Sequence, residues 1–294
     1  EKIVSGSGLA DALSFHPGYF SDLYINMVRA GEASGNLDDI LTRLADYLQK
    51  QANLKGKLVA AMTYPAVMVV VGFGVVVFLM SYVVPRITGI LSQKGDALPA
   101  PTLILMTISD VFKQYWWLGL ILALAGAIFM RISIATEKGR LWFDTTLLKI
   151  PVMGTLFQKS AISRFTVTLS ALLKSGLPAL DALAIVSKVV NNALLSKVIV
   201  QIADRILEGA DISTPLRKSK MFPPMVGYMI AIGEQSGELE NILDRISETY
   251  EEEIDLAVQR LTALVEPVII VGLAVVVGFI IMAVLLPLLQ FDSM

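Results

Sequence analysis

The sequence predicts an all-α membrane protein: duplicated cytoplasmic antiparallel helical bundles, each followed by a transmembrane helix, with three transmembrane helices in total. Three observations lead there. Apolar residues gather in long uncharged runs, one such run recurs inside an internal repeat, and amphipathic three-and-four spacing precedes it in both copies. Of the 294 residues, 55% are hydrophobic and only 17% charged, whereas soluble domains carry about 25% charge. The mean hydropathy of +0.67 is thus that of a chain that meets lipid.

The first span is Pro65 to Pro85, interrupted only by Ser81 and Tyr82. The second is Tyr115 to Met130, extended past Arg131, with Tyr115, Trp116 and Trp117 at its head. The third is Pro267 to Pro287. A helix needs about 20 apolar residues to cross the hydrocarbon core. The first and third spans meet this easily, and the shorter second relies on snorkelling by Arg131 and on its interfacial aromatic residues.

Basic residues set the orientation. Arg43, Lys50, Lys55 and Lys57 precede the first span, and Lys138, Arg140, Lys149, Lys159 and Arg164 follow the second. The intervening loop holds Arg86, Lys94 and Lys113, and no Lys or Arg follows Pro287. The positive-inside rule therefore places the N-terminal segment and the large 136–260 region in the cytoplasm. The expected organisation is a first-copy helical domain at 1–60, a span at 61–86, a periplasmic loop at 87–114 and a span at 115–135. The second-copy domain follows at 136–260, then a span at 261–288 and a periplasmic tail at 289–294. No signal peptide is visible in the polar opening. The chain opens at Glu1 without a methionine, and residues 161–204 of the second copy have no counterpart in the first. The first copy is therefore expected to be shortened at its front.

The repeat is read from GEASGNLDDIL at Gly31 and GEQSGELENIL at Gly233, 202 residues apart. The same offset pairs Phe20 with Phe222, Met27 with Met229, Arg43 with Arg245, Pro65 with Pro267 and Pro85 with Pro287. Upstream, the likeness continues if one residue is inserted. In each copy a helix is expected to end at Gly31 or Gly233, because glycine tolerates the left-handed conformation past a helix end. Ser34 or Ser236, followed by Gly35 or Gly237, then stands where an N-cap is wanted, with Asp38/Asp39 or Glu238/Glu240 near the positive end of the next helix. That helix shows an apolar stripe at Leu37, Ile40, Leu41, Leu44 and Leu48, or at Leu239, Ile242, Leu243, Ile246, Tyr250 and Ile254. Pro65 and Pro267 each sit where it enters the bilayer, a place for a pivot or a fixed bend.

A turn does not require Glu32 or Glu234, which makes them candidates for partner contact. Joined by Asp38 or Asp39, Glu32 offers a divalent cation two or three oxygens, short of the about six that calcium takes. The copies also differ in charge. Residues 31–58 hold four acids and four bases, whereas residues 233–260 hold nine acids and two bases. The acidic surface that includes Glu238, Glu248, Glu251, Glu252 and Asp255 is therefore a second partner-contact candidate, beside the plain reading of a solvated face. No catalytic, cofactor-binding or metal site is expected. There is no Walker loop, no cysteine and no ionisable residue at the centre of any span. His16, the only histidine, is expected on the surface. A net charge of −2 argues against nucleic acid, and a transporter would need polar or discontinuous spans.

The duplicated Gly-Glu-x-Ser-Gly-x-Leu, MFPP at 221–224, TYPAV at 63–67, LVEPVII at 264–270 and the proline-bounded spans resemble the type II secretion system protein F family. LPAPT at 98–102 and GEASGNLD look closer to its secretion branch than to its type IV pilus branch. The resemblance implies a self-associating, non-enzymatic platform in the bacterial inner membrane. It further implies that this platform couples a cytoplasmic assembly ATPase to the addition of pseudopilin or pilin subunits, alongside other inner-membrane assembly components.

Overall fold

Capping residues and glycines divide this helix-forming sequence into its elements. The structure is a computed structural model and describes residues 6–86, 89, 99–150, 153–190, 192–219 and 221–292. Its helices are α1 (Leu9–Ser14), α2 (Asp22–Ser34), α3 (Leu37–Phe78), α4 (Ala100–Ala135), α5 (Glu137–Lys149) and α6 (Met153–Lys174). They continue with α7 (Ala179–Val189), α8 (Ala193–Leu207), α9 (Ser213–Lys218), α10 (Pro224–Ser236) and α11 (Leu239–Asp292), and a π turn at Leu79–Val83 extends α3. No strand occurs among the described residues. Side-chain caps fix several starts: Ser21 accepts from the Tyr24 N–H, Thr136 from Gly139 and Asn192 from Leu195. Proline opens α10, where a missing N–H costs nothing.

The chain divides into two units: Glu1–Leu58 with Thr136–Val258, and Val59–Ala135 with Gln259–Met294. In the first unit the helical parts of both copies share one core. Met27, Val28, Ile40 and Leu44 from the first copy join Val226, Ile230, Leu243 and Ile246 from the second around Ile162, Phe165, Leu169 and Leu172 of α6. The Phe165 and Phe222 rings meet edge to face at 5.2 Å, a favoured aromatic geometry. Tyr47 of the first copy reaches Thr168 of α6 at 3.4 Å, and Lys188 pairs with Asp22 at 3.3 Å.

The copies are not buried alike. Leu243 is fully buried and Tyr250 is 8% exposed, but their counterparts Leu41 and Leu48 are 38% and 48% exposed. The first-copy stripe expected at Leu37, Ile40, Leu41, Leu44 and Leu48 therefore faces the core only in part. On the second copy α6 fastens to α11 through the Ser170 hydroxyl, which donates to Asp244 at 2.6 Å.

The second unit contains the apolar lengths. Among the described residues three helices are long and apolar enough to cross a membrane: Leu37–Arg86, Ala100–Ala135 and Leu239–Leu286. Helix α4 begins at Ala100, so the stretch 100–114, expected as part of a loop, is the front of a helix. Of that loop, residues 87–88 and 90–98 lie outside the described residues, as do 293–294 of the tail, and α11 continues to Asp292. Buried hydroxyls tie α4 to both other apolar helices: Thr102 Oγ1 donates to the Ala283 carbonyl at 2.6 Å, and Ser109 Oγ to the Met80 carbonyl at 2.7 Å. Where hydrophobicity gives little drive for helices to associate, such contacts bind them. Met80 lies in the π turn, where the backbone ladder widens.

Candidate functional site

In both copies the repeated motif forms an elbow, and the glycines take roles other than those expected. Gly31 and Gly233 are buried inside α2 and α10 and are not helix ends. A Cβ on Gly233 would stand 3.0 Å from Leu239 Cα and 3.1 Å from Ile242 Cβ, and one on Gly31 would stand 3.1 Å from Ile40 Cβ. These glycines let two antiparallel helices approach closely. The left-handed residues are Gly35 at φ +73° and Gly237 at φ +71°, as a helix C-terminus prefers. Ser34 and Ser236 are likewise not N-caps. Each is the last residue of its helix, and its hydroxyl donates back to the Gly31 or Gly233 carbonyl at 3.3 or 3.4 Å. The Gly233 carbonyl also accepts the Glu238 N–H at 2.9 Å, closing the turn.

The glutamates are explained by the same geometry. Glu234 accepts the Ile212 N–H at 2.6 Å and the Ser213 N–H at 3.1 Å, one on each carboxylate oxygen. Glu32 does the same for Leu9 and for Ala10, the latter at 3.0 Å. Each carboxylate thus caps the short helix that precedes the elbow helix, supplying acceptors to N–H groups that have none within their own helix. Donors pointing at both Glu32 oxygens also make them a poor cation site, and no group of His, Asp and Glu fit to hold a metal occurs among the described residues.

Residues that sequence reasoning passed over complete the elbow. Gly6 at φ +90° and Gly209 at φ +88° lie in the turns that lead towards the two short helices, Gly209 just past the end of α8. Gly8 lies under Glu32, where a Cβ would approach Oε2 to 3.1 Å. The matching position in the second copy is Asp211, which accepts the Thr214 N–H at 3.1 Å and the Ser213 hydroxyl at 2.8 Å. The Thr214 hydroxyl is the largest influence holding the Asp211 carboxyl below its ordinary range; partial burial opposes it, and Ser213, the Thr214 N–H and the Arg217 charge add to it. The clue was present in the sequence: glycines at 6 and 209 are equivalent once the one-residue insertion is allowed.

On α11, Glu248, Glu251, Glu252 and Asp255 follow the spacing of one helix face. Glu238, Glu248 and Glu252 are exposed, whereas Glu251 and Asp255 are half-buried. Asp255 pairs with Lys57 at 2.6 Å and the neighbouring Glu253 with Lys159 at 3.0 Å. Glu248, Glu251 and Glu252 have no ion pair among the described residues. The equivalent first-copy positions are Asp46, Gln49, Lys50 and Asn53, so the stripe belongs to one copy only. Pro65 and Pro267 lie within α3 and α11. Beside them the Tyr64 hydroxyl donates to Glu266 Oε1 at 3.2 Å. His16 is exposed.

The profile of the family described as type II secretion system (T2SS), protein F, matches residues 1–85 and 165–287. The chain belongs to the type II secretion system protein F family. Its relatives span both branches. The chain is 38% identical to the type IV pilus assembly protein PilC of Pseudomonas aeruginosa, over 100% of this chain and 79% of that one. It is 37% identical to PilC of Myxococcus xanthus, over 98% and 69%. It is also 37% identical to the type II secretion system protein F of Vibrio cholerae, over 100% and 72%. The two stretches matched by the protein F profile each contain one elbow and the apolar helix that follows it.

Proposed function

We propose that this protein F family member is a non-enzymatic platform of the bacterial inner membrane that couples a cytoplasmic assembly ATPase to pseudopilus assembly and protein secretion. In this reading both helical copies lie in the cytoplasm, the C-terminus lies in the periplasm, and the chain works as a homo-oligomer with other membrane assembly components. The observation that carries it is the single-copy acidic stripe Glu248, Glu251 and Glu252, set against a duplicated elbow whose own glutamates are engaged by backbone N–H groups. A duplicated frame needs two equal surfaces only if both copies meet the same partner, and here one surface is charged and the other mixed. Glu32 and Glu234 then serve the partner surface by holding the elbow's shape, with Glu238, Glu248, Glu251, Glu252 and Asp255 forming the contact itself.

LPAPT and GEASGNLD favour the secretion branch; Leu98 of the former lies outside the described residues. Pilus assembly is the second reading, favoured by identities of 37–39% to three PilC proteins. The triple variant Glu248→Lys, Glu251→Lys, Glu252→Lys tests the proposal in cells. Loss of ATPase co-purification together with loss of secretion or piliation, at unchanged protein level, is the expected result. Retention of both rejects the stripe as the contact. Restoring a strain that lacks its protein F against one that lacks its PilC separates the branches.

A further inference from the structure

Helix α5 begins almost where α4 ends: α4 closes at Ala135, Thr136 caps α5, and Glu137 is its first residue. A single residue spans at most about 3.6 Å, so the first turn of α5 is tethered to the end of a helix that is long and apolar enough to cross a membrane. One side of α5 is fastened to its own unit. Asp144 is 8% exposed, and its carboxylate accepts the Ala193 N–H at 2.7 Å. The Leu148 carbonyl presses on Gly154, where a Cβ would come within 2.2 Å.

The opposite side is bare. Lys138, Trp142, Thr146 and Lys149 are exposed, and at about 100° per residue they fall within an arc of about 80°. Trp142 is 71% exposed, and Ile150 at the C-cap continues the strip at 44%. A tryptophan flanked by lysines just beyond a span has the composition of the headgroup layer: the indole body partitions among carbonyls and glycerol while the ammonium groups reach phosphates. We propose that α5 lies on the membrane surface, with Trp142 inserted at the acyl-headgroup boundary and Lys138 and Lys149 on anionic lipid headgroups. The occupant of this face is lipid, because the helix is covalently continuous with a span and its charge is complementary to an acidic bilayer surface.

Trp116 and Trp117 are the other two of the three tryptophans, so the full chain carrying Trp116→Phe and Trp117→Phe reports on Trp142 alone. It is reconstituted in vesicles of phosphatidylcholine, with or without phosphatidylglycerol, with brominated acyl chains. The expected result is blue-shifted emission that brominated lipid quenches and aqueous iodide does not. In the phosphatidylglycerol vesicles, Lys138→Gln and Lys149→Gln each lower the quenched-to-unquenched ratio about fivefold, as ~1 kcal/mol per basic residue dictates. Emission of a water-exposed indole open to iodide overturns the proposal. Shielding from iodide without bromine quenching overturns it equally, since a second copy or another protein then covers the strip. The chain has no cysteine, so Trp142→Cys with a spin label gives an independent reading. A label that oxygen relaxes more than an aqueous nickel chelate supports lipid contact, and the reverse overturns it.

Discussion

Glu234 and Glu32 do work that a turn motif alone does not require. Removing the Glu234 side chain leaves the Ile212 and Ser213 N–H groups without their acceptors, and Ser213 is fully buried. Glu234→Ala is expected to cost about 1–3 kcal/mol of stability, measured by denaturant unfolding of the detergent-solubilised chain, with Glu234→Gln between it and the parent. Glu32→Ala should cost less, because Glu32 is exposed and water can replace its carboxylate; equal costs would contradict the assigned difference. What the sequence made legible here was the repeat and its glycines. What it hid was the division of labour between Gly31 and Gly35, since both kinds of glycine suit an elbow and only the packed Ile40 separates close approach from left-handed turn. The glutamate's role was hidden for another reason: its partners lie 21 to 23 residues upstream, beyond the reach of any local pattern.

Among the elements, the short helices α1 and α9 show how two copies reach one geometry by different chemistry. Gly8 leaves the space under Glu32 open, whereas Asp211 fills the equivalent place with a second carboxylate that binds Thr214 and Ser213. Because the Asp211 pKa is depressed in the folded chain, its contribution is present above the ordinary carboxylate range and is lost as pH falls through the depressed value. Asp211→Asn should therefore lower stability at neutral pH and flatten the acid limb of the stability–pH curve; an unchanged acid limb would remove Asp211 from that balance. Amphipathic spacing made α11 legible, whereas Leu41 and Leu48 of the α3 stripe are exposed, because burial depends on tertiary neighbours that spacing alone does not name. Leu41 and Leu243 occupy the same repeat position, yet only Leu243 is buried.

For the whole molecule, the duplication leaves a geometric trace within the membrane unit. Tyr64 and Glu266 are the same position of the two copies, and they touch. A Cβ on Gly72 would lie 3.5 Å from Leu273, one residue from its own counterpart Ala274. Counterparts meet in this way beside an approximate two-fold axis, as in an isologous interface, so the two spans run parallel and level. The cysteine-free chain allows a direct check. Tyr64→Cys with Glu266→Cys should be joined by a short bifunctional thiol crosslinker, which spans a gap too wide for a disulfide, and Tyr64→Cys with Val276→Cys should not; the opposite outcome would refute level packing. The π turn at Leu79–Val83 then acquires a meaning. One helix cannot present identical surfaces to two related neighbours, yet α4 binds Met80 through Ser109 and Ala283 through Thr102. Those five residues of the first span wind wider, whereas the matching 281–285 of the third span stay α-helical. An odd third rod is thereby seated against an even pair, and at that turn the two spans part in winding.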